Sequence, residues 1–317
     1  MDLTRRSWML AAAAQQQPVF RASAKLVVVA ATVQDQQGRP VPGLAADDFE
    51  LLDNGAPRRF ELESMDAPVS LVVAVETAET SAAVIDKLRG ATAMLDALVA
   101  GEKGEMALIA YDHAIRVLAP LSRDTTEFDK KLRGLEAHGG PGRMHDAVMK
   151  AVEILKPAPA GRRKVLILIG EAKDAGSQNK LDRGVAEAQA ANLTVYPLTF
   201  SRVTTPFTTR ESQQAGPFNL LMALYELARL TNVNAASVYA QHTGGVLNRF
   251  TLKRGLEQAV SRVSEDLHLQ YLLSFEAVNA PVGVYQPLVV RLPRRPDLSV
   301  RHRPGYWIPR DTALPAL

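Results

Sequence analysis

The sequence predicts a mixed α/β chain, with a doubly wound, mostly parallel sheet inserted in a small antiparallel β-sandwich built by the N- and C-terminal segments. Three observations predict it. Short apolar strands at 69–75, 106–111, 164–169 and 194–200 alternate with amphipathic stretches, the pattern of parallel strands joined by helical crossovers. These strands are nearly continuous apolar runs, as in a sheet covered on both faces. Finally, β texture stands at both ends of the chain, and each piece is too small to bury a core alone.

The chain opens with Thr4-Arg5-Arg6-Ser7-Trp8-Met9-Leu10 and a run of alanines, which resembles the start of a twin-arginine export signal with a short apolar stretch. Residues 1–18 are therefore set apart from the fold, and the expected location is exported, periplasmic or cell-envelope associated. If the signal is not functional, the location is cytoplasmic. Residues 19–66 form the first part of the β domain. Lys25-Leu26-Val27-Val28-Val29 begins a β-branched strand over 25–33. A hairpin follows at Asp53-Asn54-Gly55, where Asn-Gly suits the positive φ of a tight reversing turn, with strands expected at 47–52 and 59–63.

The texture changes at Pro68. Residues 67–268 read as the inserted domain, with helices near 82–99, 125–135, 143–156 and 179–191 between the apolar strands. An antiparallel edge strand is expected at 116–121. Residues 201–216 are polar and aperiodic and read as a loop, with helices near 218–230 and 234–242 after it. Gly244-Gly245 leads to a strand at 246–250 and a long helix at 252–267. Leu256, Val260 and Val263 fall on one face of that helix. Strands at 269–275, 286–292 and 298–303 return the chain to the β domain, which ends at 309 before a tail at 310–317.

The 317 residues are 47% hydrophobic and 22% charged, an ordinary globular composition. A net charge of +3 is too small to argue for a nucleic-acid partner. No run of about 18 apolar residues exists to span a membrane. The chain has no cysteine, which removes thiol catalysis, thiolate metal sites and disulfides together.

Gly38-Arg39-Pro40-Val41, Asp48-Phe49-Glu50-Leu51-Leu52-Asp53-Asn54-Gly55, Thr243-Gly244-Gly245, Gln270-Tyr271-Leu272-Leu273 and Arg303-Pro304-Gly305-Tyr306 follow one another in a distinctive order and spacing. In that order and spacing the chain resembles the bacterial von Willebrand factor type A-related proteins of Acidobacteria. The resemblance covers almost everything after residue 18. It implies a metal-ion-dependent adhesion site with ligands from three loops at the carboxyl ends of the parallel strands. In the family the first loop reads Asp-x-Ser-x-Ser; here it aligns on Glu76, Ala78 and Thr80. The second loop supplies a threonine where this chain has Gly142. The third supplies an aspartate where Glu171 stands.

The resemblance thus implies the fold while the ligands have changed. Magnesium asks for near-octahedral oxygens at about 2.0–2.1 Å, and two lengthened carboxylates with two lost hydroxyls disturb that shell. Three readings stay open. A weak residual cation, calcium or magnesium, is held by Glu76, Glu79 and Glu171. Alternatively, Arg143 or Lys173 replaces the cation as counter-charge to the carboxylates. In the third, the carboxylates are solvated loop residues. No other cofactor is expected.

Other motifs are weaker. His138, His145 and Asp146 lack metal-ligand spacing; His145 reads as packing at a helix start and Asp146 as a favourable first-turn charge. Gly139-Gly140-Pro141-Gly142 lacks the Lys-Ser/Thr of a phosphate loop. Asp47-Asp48 reads as solvated. The expected function is a non-enzymatic, adhesion-type module for an unidentified protein partner, with a degenerate metal site. The alternatives are a hydrolase-type enzyme using Glu76 and Glu171 as a carboxylate pair, and a structural paralogue within a complex.

Overall fold

The computed structural model describes residues 25–63, 66–159, 161–200, 234–250, 255–278 and 280–308. The signal-like N-terminus, the loop at 201–216, the helix near 218–230 and the tail at 310–317 lie outside the described residues.

The central sheet is six-stranded. In chain order its strands are β5 (Val69–Glu76), β6 (Glu105–Tyr111), β7 (Ile115–Ser122), β8 (Arg163–Gly170), β9 (Leu193–Phe200) and β10 (Asn248–Phe250). Their spatial order is β10-β9-β8-β5-β6-β7. All neighbours pair in parallel except β6 and β7. Every residue of β5 is buried, so the strand is apolar on both faces. Leu71, Val73 and Val75 face one core, whereas Val72 and Ala74 face the other. The first core is covered by α1 (Ala82–Leu88), α2 (Thr92–Leu95), α3 (Thr126–Arg133) and α7 (Leu256–Leu269). The second is covered by α4 (Met144–Leu155), α5 (Leu181–Ala190) and α6 (Ala235–Thr243). The fold class is the doubly wound one expected.

Two four-stranded antiparallel sheets lie beside it. One has the order β13-β1-β11-β4, the other β14-β12-β2-β3. The strands are β1 (Lys25–Gln34), β2 (Glu50–Asp53), β3 (Ala56–Arg58), β4 (Glu61–Leu62), β11 (Tyr271–Ala277), β12 (Tyr285–Arg291), β13 (Ser299–His302) and β14 (Gly305–Trp307). N- and C-terminal strands interleave: β1 pairs with β11 and β13, and β2 pairs with β12. Val27, Val29, Leu51, Tyr271, Phe275 and Val290 share one core between the sheets. Neither terminal piece would have a core without the other.

Three local details differ from the sequence expectation. The hairpin turns with both Asn54 (φ 52°) and Gly55 (φ 80°) in the left-handed region, so tightly that the return strand starts at Ala56. Leu52 pairs with Pro57, and the edge position tolerates the missing N–H. The chain then crosses sheets, and Glu61–Leu62 pairs with β11 instead. The single helix expected at 82–99 is broken after Leu88 near Gly90, a poor helix former. It resumes as α2 and closes in a π-helical turn, Asp96–Ala100, before Gly101 at φ 72°.

A buried polar junction joins the sandwich to the inserted domain. Asp266 on α7 accepts hydrogen bonds from Thr32 of β1 (3.1 Å), Tyr196 of β9 (3.0 Å) and the Gln270 amide (2.9 Å). It also pairs with Arg301 of β13. Arg301 reaches the carbonyls of Gly244 and Gly245 as well.

In α7, Val260 and Val263 are at most 1% exposed and Leu256 6%, as the spacing requires. Val260→Asp would bury an unpaired carboxylate against the sheet. The expected loss is at least about 3 kcal/mol, read as a collapsed thermal midpoint. An unchanged midpoint would mean that this face is not the packed one.

Candidate functional site

At the carboxyl end of the sheet, the loops after β5, β6 and β8 meet the loop that enters α4. Four backbone bonds stitch them: Thr77 N–H to the Tyr111 carbonyl (2.8 Å), His138 N–H to Thr77 (2.8 Å), Arg143 N–H to Asp112 (3.2 Å) and Ala175 N–H to Gly142 (3.0 Å).

Glu76 is the last residue of β5 and is only 5% exposed. Its Oε2 accepts the Glu171 N–H at 2.6 Å. Its carboxyl lies directly against Gly142 and Gly170. A Cβ at Gly142 would collide with Oε1, and one at Gly170 would stand 2.6 Å from Oε2. The side chain therefore fills the space where the three loops converge, and two glycines make the room for it. Ala78 is buried, Thr80 and Glu171 are half-buried, and Lys173 is exposed. The structure thus gathers Glu76, Gly142 and the Glu171 backbone.

The donor set here fits magnesium poorly. Neither Ala78 nor Gly142 has a side-chain oxygen, and Glu76 occupies the meeting point of the loops itself. Burial pushes the Glu76 carboxyl up from its ordinary 4.5 to about 7. The Glu171 N–H opposes that rise, while the charges of Glu171 and Asp174 add to it. Among the described residues, no group of three or more carboxylates or imidazoles is arranged to hold a metal ion.

Arg143 turns elsewhere. Its guanidinium donates to Asp146 (2.7 Å) and to the His113 carbonyl (3.1 Å). Asp146 is buried and does more than complement a helix end. It accepts the backbone N–H groups of Gln178 (3.0 Å) and Asn179 (2.9 Å), tying the loop after β8 to the start of α4. His145 packs there as expected, its Nδ1 3.1 Å from the Tyr239 hydroxyl. His138 is exposed. Asp47 is exposed and Asp48 half-buried in one short helical turn, where Asp48 accepts the Ala45 N–H (2.8 Å).

Sequence reasoning missed two parts of this face. Asp112, fully buried, accepts hydrogen bonds from Thr77 (2.8 Å), the Ala114 N–H (2.9 Å) and Arg116. Burial alone would raise its carboxyl, but these donors and the Arg116 charge bring it down to about 2. Asp174 and Ser177 cap the start of α4, both accepting the His145 N–H. The Asp-x-x-Ser spacing at 174–177 was the available signal for the second; nothing local marks the first.

The sequence matches no family model and no curated protein. Among solved structures, the chain is similar to an aerotolerance-related membrane protein from Bacteroides fragilis at 11% identity, over 63% of this chain and 98% of that one, with a TM-score of 0.45. BatB from Bacteroides thetaiotaomicron is 14% identical over 63% and 98%, with a TM-score of 0.44. The vWF domain of the type V pili tip protein Mfa5 from Porphyromonas gingivalis is 12% identical over 64% and 96%, with a TM-score of 0.41.

Glu76 holds its proton more tightly folded than unfolded. Its contribution is therefore complete below pH 4.5 and lost as pH rises through about 7. Glu76→Gln imitates the protonated form. Its stability should match the parent's near pH 4 and exceed it at pH 8, by about 3 kcal/mol at most, read as a higher thermal midpoint. Parallel midpoints from pH 5 to 8 would show that Glu76 does not titrate in this window.

Proposed function

We propose that this chain is a non-enzymatic protein-interaction module whose recognition face is the carboxyl end of the central sheet, with a metal-ion-dependent adhesion site that has lost its metal. The observation that carries the reading is the Glu76 carboxyl, wedged against Gly142 and Gly170 where the three loops meet. A side chain stands in the cation's place, and Glu171 contributes its backbone N–H to that carboxyl. The face left to a partner is formed by Glu79, Pro141 and Lys173, all exposed, with Thr80 and Arg143 half-buried beside them.

In metal-competent relatives, as the resemblance implies, a partner's carboxylate completes the coordination sphere. Here recognition rests on shape and on exposed loop residues. The twin-arginine-like terminus supports a site of action outside the cytoplasm, in the periplasm or at the cell envelope. Among the described residues no helix is long and apolar enough to cross a membrane.

The rival reading, acid–base chemistry by Glu76 and Glu171, is favoured by the raised Glu76 carboxyl. It needs a cleft that joins the two side chains and admits a substrate. The cleft of about 270 Å³ between the domains is lined by Lys164 and Leu193, at the other end of the strands, and by neither glutamate.

Millimolar magnesium or manganese should leave the thermal midpoint of the parent unchanged, because only a ligand that binds the folded state raises it. Glu76→Asp, Ala78→Ser, Gly142→Thr and Glu171→Asp together should create a magnesium response. Shortening Glu76 is the essential member, since it clears the space that the new side chain in Gly142→Thr would enter. A magnesium-dependent rise in the parent that Glu76→Ala abolishes would overturn the reading.

A further inference from the structure

The cleft between the sandwich and the inserted domain lies at the amino ends of β8 and β9, and two of its cationic groups lack an ion-pair partner among the described residues, although Glu63 is also in the lining. Arg162 and Arg163 line it but are committed. Arg162 pairs with Glu105 and bonds Ser70, and Arg163 bonds the Leu267 carbonyl and Gln270. Lys164 is different. It is half-buried, and among the described residues its ammonium has neither a hydrogen-bond nor an ion-pair partner. Its proton affinity falls through burial alone, with no carboxylate opposing the fall.

Arg303 lines the same cleft and is 2% exposed. Its two terminal nitrogens donate to the Gln189 carbonyl (3.0 Å) and the Asn192 side chain (3.1 Å), both neutral. Its Nε has no partner among the described residues. Buried cations without anions are costly to maintain. The walls between them are apolar, formed by Val28, Leu193, Leu272 and Leu26, and Leu26 is 45% exposed there.

We propose that this cleft binds a small monocarboxylate with an apolar body, its anionic end between Lys164 and Arg303 and its hydrocarbon against Leu26. The volume of about 270 Å³ lies just under the range of drug-sized sites and suits a short chain. A monoanion fits better than phosphate on two counts. One ammonium and one spare guanidinium N–H are few donors for a dianion, and Glu63, also in the lining, repels a second negative charge. The same chemistry occurs in a free organic acid and in the C-terminal residue of a peptide.

The test uses the full chain and calorimetric titration with hexanoate, hexanamide, inorganic phosphate, and N-acetyl-Gly-Gly-Leu as free acid and as amide. Hexanoate should bind saturably at one site and hexanamide should not. Lys164→Gln should weaken hexanoate about tenfold, one charge-assisted hydrogen bond, and Lys164→Arg should restore most of it. Leu26→Glu, at an exposed position, should abolish binding without relying on any change at Lys164. If the peptide acid binds at least as tightly as hexanoate, the natural source is a protein C-terminus; if only hexanoate binds, it is a free acid. Absence of binding by both acids, equal binding of acid and amide, preference for phosphate, or unaltered affinity in Lys164→Gln and Leu26→Glu would each overturn the proposal.

Discussion

Asp266 holds the two halves of this molecule in one arrangement. Its carboxylate sits at the point where α7 hands the chain back to the sandwich, and it collects donors from β1, β9, β13 and the connecting Gln270. Gln270 itself is fully buried and also reaches the Gly244 carbonyl. A charged group in a low-dielectric junction costs much less when every lone pair is used. Separating the domains would expose several charge-assisted bonds at once, so the polar character of the junction opposes hinge motion. A second seam reinforces it. Asn192 takes the left-handed conformation after α5 (φ 53°) and presents its amide to β1 like a strand partner, bonding Val28 N–H and the Leu26 carbonyl.

That stiffness gives meaning to what happens at the carboxyl end of the sheet. Functional residues sit on loops held by a rigid scaffold. In this chain the loops converge on a carboxyl group with an elevated proton affinity. Glu76 is held by one backbone donor and by shape rather than by a counter-charge, and Gly142 and Gly170 supply the shape. The strong ion pairs of the neighbourhood, Arg116 with Asp112 and Arg143 with Asp146, are spent on fixing the loops. The face is built firmly around a weak centre, which is where sequences give up local stability when function asks for it.

The sequence displayed the scaffold because periodicity does. Continuous apolar strands placed β5 in a two-faced sheet, and a four-then-three spacing chose the buried face of α7. Asn54-Gly55 named its own turn. Where signals failed, the deciding contact was remote in the chain. The sequence offered Arg143 as a counter-charge to Glu76 and Glu171, yet its partner is Asp146, one helical turn ahead. Thr77, Asp112 and Arg116 are separated by up to 39 residues, and no local pattern joins them. The break at Gly90 was visible in composition, but an apolar stripe running through it argued for one helix.

The two ends of the sheet raise a question of communication. Lys164 is the second residue of β8, at the domain cleft, and Gly170 ends the strand beneath Glu76. Six residue steps along a strand separate them by roughly 20 Å. Coupling over that distance requires an element with two arrangements that both sites bias. β8 is a poor candidate, since it is hydrogen-bonded on both sides to β5 and β9 and packed on both faces. A shift by one residue would turn its whole apolar set to the opposite faces. The sheet therefore separates the two sites more than it connects them. Each end can change its chemistry without disturbing the other.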